Sequence, residues 1–312
     1  MRKNNIDFNK SFKYVIAVYA LIFVVGIVSC FFGLKLDINF SGGTKISYSY
    51  TGDVDVAKIE KIAKKELDAN FNVSKSTALA GDTKTFEIAL AGKTAVTAEK
   101  QEALTAALKK EFKDNKISLY NSNSVSPTIA GTFFAKSVVA VVITALLVVL
   151  YVGIRFRKIG GVSAAITALC ALVFDVLVTF FVCTIFGLQI DSNYIAVVLT
   201  VLGYSLNDTI VIYDRVRENR KLHSDLTINE LVNMSINQTV IRNVVTTVTT
   251  LLAVITIVVV SELYGMTTLR TFAIPMAFGL LSGCISSLFV AGPLWVVWKN
   301  KREAAKARKA TK

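Results

Sequence analysis

Six stretches of this chain are long and apolar enough to be membrane crossings, and they constrain everything else. They run roughly from 13 to 34, 133 to 154, 161 to 186, 194 to 213, 243 to 261 and 271 to 298. Each is long enough, as a helix, to cross about 30 Å of hydrocarbon. Six crossings place both chain ends on one side. Arg and Lys cluster in the first 13 residues, at Arg155, Arg157 and Lys158, from Arg215 to Lys221, and from Lys299 onward. The loop at 187 to 192 has no Lys or Arg, and the one at 262 to 270 has only Arg270. By the positive-inside rule, both termini are expected in the cytoplasm. Trp295 and Trp298 are then expected at the inner interface, where amphipathic rings anchor well.

The chain is 53% hydrophobic with 18% charged residues, whereas soluble domains carry about 25% charged residues. A net charge of +13 would suggest nucleic acid in a soluble chain. Here the charge lies at the membrane edges, so no nucleic-acid partner is expected. Cys30, Cys170, Cys183 and Cys284 are scattered in apolar segments without metal-ligand spacing, and the only histidine, His223, lies in a charged stretch. No metal and no cofactor are expected. The first apolar run lacks a small-residue cleavage site and exceeds a signal-peptide core, so it is read as retained.

The crossings divide the chain into an N-terminus with the first helix (1–34), a polar unit (35–132), a bundle (133–298) and a basic tail (299–312). The polar unit has many Lys and acidic residues and no Arg, and it is expected outside the cytoplasm. Its patterning predicts strands at 45–50, 72–78, 85–91 and 116–120 with helices at 56–70 and 98–113. That order, βαββαβ, is the split-βαβ or ferredoxin-like plan. The expected fold class is thus an α-helical polytopic membrane protein with six transmembrane helices and a ferredoxin-like α+β domain between the first two. Residues 214–241 form the longest cytoplasmic connection. Thr227 and Glu230 have capping-box spacing, and Ile228, Leu231, Val232, Ser235 and Ile236 recur at helical intervals. They predict an amphipathic helix along the inner membrane face or packed beneath the bundle.

An ionised side chain near a helix centre costs about 2.5 to 3.5 kcal/mol on insertion scales, so each one needs an offset. Asp175 lies mid-way along the third crossing, Asp208 lies in the fourth, and Arg242 opens the fifth from its cytoplasmic end. The fourth and fifth helices run oppositely, so Asp208 and Arg242 reach comparable depth. Tyr204, Ser205 and Asp208 share a helical face, as do Arg242, Thr246 and Thr249. With Asn207 they are expected to build a polar seam that admits water. A static salt bridge is the plain alternative, but a buried ion pair contributes little over apolar packing. A carboxylate pulled between desolvation and a neighbouring guanidinium can bind and release a proton. Asp175 is either a second relay station or a capped residue facing the same cavity. Gly279, Gly283 and Ser287 repeat at four-residue spacing, a pattern that lets helices approach closely. Gly42 and Gly43 permit a tight turn where the chain enters the polar unit, suited to a hinge or a plain turn.

Four stretches carry a family likeness: Asp37-Ile-Asn-Phe-Ser-Gly-Gly-Thr44, Tyr151-Val-Gly-Ile-Arg-Phe156, Val201-Leu-Gly-Tyr-Ser-Leu-Asn-Asp-Thr-Ile-Val-Ile-Tyr-Asp-Arg-Val-Arg-Glu-Asn219 and Asn237-Gln-Thr-Val-Ile-Arg242. With these, the chain resembles the SecF family of the RND superfamily over essentially its whole length. The resemblance implies half of an RND-type bundle in the bacterial plasma membrane, completed by six helices of SecD. It also implies action beside the SecYEG channel and its accessory proteins, among membrane lipid, on a translocating preprotein. The proton gradient, or sodium in some members, is expected to drive movement of the outer domain. Asp208, Arg242 and Asp175 match the family's relay positions. Many relatives have His-Asp where this chain has Phe174-Asp175, which removes a histidine from the relay.

Two rival readings differ in class. A small-molecule RND transporter subunit usually has broken helices around a midplane pocket, yet Pro275 and Pro293 are the only prolines in the crossings. An intramembrane aspartyl protease would pair Asp175 with Asp208 to share a proton. The expected reading is a non-enzymatic export subunit.

Overall fold

In the computed structural model, the described residues are 6–31, 33–67, 71–77, 84–91 and 96–310. Six helices among them are long and apolar enough to cross a membrane. The first, α1 (Phe8–Phe31), is followed by the short α2 (Ile38–Ser41) and the outer unit. That unit comprises β1 (Gly43–Tyr50), α3 (Val56–Leu67), β2 (Phe71–Thr77), β3 (Lys84–Ala91), α4 (Ala98–Glu111) and β4 (Ser118–Val125). The remaining helices are α5 (Pro127–Arg155), α6 (Gly161–Ile185), α7 (Ser192–Leu222), α8 (Ile228–Leu263), α9 (Thr267–Ser286) and α10 (Gly292–Ala310). Residues 68–70 of the expected first helix and Ala78 of the expected second strand lie outside the described residues.

The outer strands form an antiparallel sheet in the order β2-β3-β1-β4. Ile59, Ala63 and Leu67 of α3 and Leu104 and Leu108 of α4 cover one face, closing a core with Ile46, Tyr48, Phe86 and Ile88. Removing that apolar surface from water is the main force holding so small a unit together. The opposite face is polar. Lys45 pairs with Glu87 at 2.6 Å, and both line a cavity of about 400 Å³ shared with the 187–191 loop and the first turns of α7 and α9.

The unit joins the bundle through two adjacent strands, because Gly43 at the start of β1 pairs with Val125 at the end of β4. Gly42 has φ +74°, and a Cβ there would lie 2.9 Å from Pro127 Cα, so only glycine fits this turn. Pro127 opens α5, with Ser126 accepting from the Ile129 amide, an arrangement that suits a helix start. The linker from α1 is pinned too. Leu36 and Ile190 form a parallel bridge, with Asp37 N donating to Ile190 O at 3.0 Å and Ile190 N to Lys35 O at 2.8 Å.

Two expectations about the inner edge are corrected. Residues 214–241 are not a long loop: α7 continues to Leu222 and α8 begins at Ile228. The helix predicted at 228–236 exists, with its Thr227–Glu230 capping box, but it runs unbroken into the fifth crossing. Leu231, Val232, Ser235 and Ile236 are buried against the bundle, which holds it in line. Trp295 is not an interfacial anchor. It is wholly buried, with Nε1 donating to Ser163 Oγ at 3.0 Å, which meets its hydrogen-bonding need inside the protein. Trp298 remains exposed.

Candidate functional site

Asp175 of α6 is completely buried. Ser282 Oγ of α9 donates to its Oδ1 at 2.6 Å. Ser205 Oγ of α7 and Ser286 Oγ of α9 donate to Oδ2 at 2.6 and 2.9 Å. Tyr19 of α1 donates to the Ser282 carbonyl at 3.1 Å. A carboxylate gathering three hydroxyls holds α6, α7 and α9 together, and the three bonds satisfy its oxygens in a dry interior. Phe174 turns the other way and stacks on Phe23 of α1, with centroids 5.5 Å apart.

Close helix approach makes the cage possible. A Cβ on Gly283 would sit 2.9 Å from Ser205 Cβ, and one on Gly279 would sit 2.5 Å from Thr179 Cγ2 and 2.6 Å from Val201 Cγ2. Ser287, the third member of that spacing, donates to the Ser205 carbonyl at 3.1 Å and meets Thr209 Oγ1 at 2.9 Å. There the helix widens into a π turn over Ser287–Ala291 before α10, a local distortion often found at functional sites.

Asp208, one turn beyond Ser205 on α7, is also buried but is surrounded differently. No hydrogen bond reaches its Oδ2, and the same holds for the buried Asn243 Oδ1 of α8. Asn243 lies beside it, with Nδ2 donating to the Asp208 backbone carbonyl at 3.5 Å. Orphaned buried oxygens are rare and costly.

Arg242 makes no salt bridge with Asp208 or with any other acid among the described residues. It is exposed and lines a cavity of about 600 Å³ with Asn207, Asp214, Arg215 and Thr239. Adjacent helix residues are rotated by about 100°, so Asn243 takes the inward direction and Arg242 the flank. The expected seam divides accordingly. Ser205 belongs to Asp175. Tyr204 reaches α8 through Thr250 at 3.2 Å. Thr246 is half-buried and Thr249 exposed, and their hydroxyls return to carbonyls of α8. Asn207 is exposed on α7. Asp175 and Asp208 share no hydrogen bond, each having its own surroundings, which is not the geometry of a proton-sharing acid pair.

Sequence reasoning did not single out Ser282, Ser286, Tyr19 or Asn243. Ser282 and Ser286 stand four apart in an apolar crossing, a spacing that puts two hydroxyls on one face. Beneath the bundle, Arg155 of α5 and Arg217 both pair with Asp214 of α7, at 3.1 and 2.8 Å.

This arrangement defines a class: a polytopic membrane protein that keeps ionisable groups inside its helix bundle and carries one α+β unit between its first two crossings. The family described as protein export membrane protein SecD/SecF, C-terminal, matches residues 104–301. The SecF protein translocase subunit of Petrotoga mobilis is 32% identical over 310 residues, covering 97% of this chain and 99% of the relative. The SecDF subunit of Bacillus subtilis is 32% identical, over 95% of this chain but 38% of the relative. The crystal structure of SecDF from Thermus thermophilus, described as translocon-associated, superposes with a TM-score of 0.78 at 29% identity, covering 96% of this chain and 39% of that one. The chain belongs to the SecD/SecF family of protein export membrane proteins. It spans about two fifths of the SecDF chains it matches.

Proposed function

We propose that this chain is the SecF-type half of a two-part Sec export complex in the bacterial plasma membrane, in which a proton or sodium gradient drives the outer domain to promote preprotein translocation. Its termini lie in the cytoplasm. Residues 35–132 form a ferredoxin-like extracytoplasmic domain, 133–298 half of an RND-type bundle, and 299–312 a basic tail. A SecD-type partner supplies the other six helices. SecYEG with its accessory proteins, the preprotein and membrane lipid complete the surroundings.

The observation that carries this reading is the polar flank of α7 and α8. Arg242, Asn207 and Thr249 are exposed on helices whose other outward residues, such as Val245, Val248 and Leu252, are apolar. Polar and charged side chains are disfavoured against acyl chains, so this flank fits against protein and water. SecDF relatives carry, in the same chain, the additional length that would cover it.

In this reading Asp208 is the carboxylate that takes up and releases the ion, Arg242 the countercharge in the adjoining cavity, and Asn207, Tyr204, Thr246 and Thr249 the wetted border. Asp175, held by Ser205, follows changes in α7. One charge moving through 100 mV supplies roughly 2.3 kcal/mol, comparable to the gap between two helix packings. The two-strand neck at Gly42 and Gly43 is where the outer domain would bend.

The test is to copurify the chain with a SecD-type partner and measure preprotein export with the proton and sodium gradients collapsed separately. Partner capture together with loss of export on collapsing one gradient supports the reading. Export indifferent to both collapses overturns the coupling.

A further inference from the structure

The Asn237-Gln238 pair has no part in the ion path, yet it organises the cytoplasmic end of the molecule. Asn229, Asn233 and Asn237 stand four residues apart on α8 and line one helical face. The N-terminal segment runs antiparallel along them. Ile6 N donates to Asn237 Oδ1 at 3.0 Å, and Asn237 Nδ2 donates back to Ile6 O at 2.9 Å. Phe8 N donates to Asn233 Oδ1 at 3.0 Å, and Asn9 Nδ2 to Asn229 Oδ1 at 2.6 Å.

Ile6 and Phe8 are therefore held through their backbones, and at Ile6 one primary amide grips both the N–H and the C=O of the residue by accepting and donating at once. The apolar anchor is Phe8, fully buried with its ring 5.0 Å from Phe289. On the adjoining face, Gln238 Oε1 accepts from Asn219 Nδ2 at 2.8 Å and from Arg215 Nε, so the pair ties α7, α8 and the N-terminal segment at one point. Asp208 is on α7 and Arg242 is one turn further along α8.

At the opposite membrane face, α1 leads into the pinned Lys35–Asp37 linker and thence to the outer domain. Between its ends, α1 packs tightly on α6, because a Cβ on Gly26 would overlap the Phe181 ring.

We infer that the asparagine ladder is a clasp that makes α1 a connecting rod, passing displacement of the α7–α8 cytoplasmic ends to the outer domain. This inference rests on the proposed export function, and the clasp itself can be tested separately. Hydrogen exchange reports the clasp and export reports the transmission, both in the full chain with its SecD-type partner in membrane vesicles. The variants are the Asn233→Ala, Asn237→Ala pair and, should that pair fail to insert, Asn237→Asp, which keeps the acceptor for Ile6 N but removes the donor to Ile6 O.

The expected result is exchange about tenfold faster in the 6–11 segment. Gradient-driven export falls to the level of Asp208→Asn, while partner capture and gradient-independent export are unchanged. Unchanged exchange overturns the clasp. Fast exchange with wild-type gradient-driven export, or loss of partner capture, overturns the connecting rod. If Asp208→Asn keeps gradient-driven export while the asparagine variants lose it, the ion path is wrong and the clasp stands.

Discussion

Asp175 and Asp208 lie about one helical turn apart in depth in the same bundle, both out of contact with solvent, and they are treated in opposite ways. Asp175 is saturated, with hydroxyls from two neighbouring helices on both oxygens. Asp208 keeps an oxygen unpaired, and its backbone carbonyl accepts from Asn243 of α8, whose own Oδ1 is also unpaired. The contrast separates two uses of a buried acid. One gathers helices, and its removal strands its donors. The other has few protein bonds to lose, which suits the proposed ion uptake.

The contrast breaks most visibly on substitution of the saturated acid. Asp175→Val leaves Ser205, Ser282 and Ser286 without their acceptor, and a loss of about 2 to 3 kcal/mol is expected in unfolding of the purified protein, even with the serines turning to their own helix carbonyls. Gly283→Ala attacks the same cage from outside. Its methyl group meets Ser205 Cβ at 2.9 Å, pushing α9 from α7 at a cost of about 1 to 3 kcal/mol in the same assay.

Asp208→Asn sharpens the contrast by its small effect on stability. Only an unpaired oxygen is exchanged for an amide, so unfolding is expected to change by under about 1 kcal/mol.

The smallest effect belongs to a third acid, outside the crossings. Asp191 caps α7 by accepting from Asn193 N, and Thr271 Oγ1 donates to it at 2.9 Å. Burial raises its pKa above the ordinary carboxylate value despite those bonds, and nearby Asp37 raises it further. A carboxylate raised in the folded state contributes stability below its unfolded pKa that is lost as pH rises through the folded pKa. Asp191→Asn keeps a good cap and removes that charge. Between pH 7 and 8 it is expected to be neutral or stabilising by up to about 0.5 kcal/mol, whereas clear destabilisation there would place the acid's value in its charge.

Much of this was legible from residue order. Long apolar runs specify crossings because lipid admits few alternatives, and alternation against helical spacing located the outer strands and helices to within a few residues. The acids were conspicuous because ionisable groups are rare in such helices. Sequence spacing reports depth along a helix but not its rotation relative to a neighbour. Asn243 therefore occupies the inward position that Arg242 was expected to fill, and the one-residue difference separates a buried contact from an exposed flank. The serine cage was hidden for the same reason: Ser282 and Ser286 matter only once Gly279 and Gly283 bring α9 against α6 and α7. The 228–236 helix was found, but its fusion with the fifth crossing depends on burial of Val232 and Ile236 beneath the bundle.

The most direct test of the account is gradient-driven preprotein export by the Asp208→Asn protein assembled with its SecD-type partner, compared with wild type at equal membrane abundance. Export that loses its response to the gradient while assembly and thermal stability stay intact is the predicted result. A variant that still accelerates export when the gradient is applied would contradict the assignment of Asp208 as the group that takes up the ion.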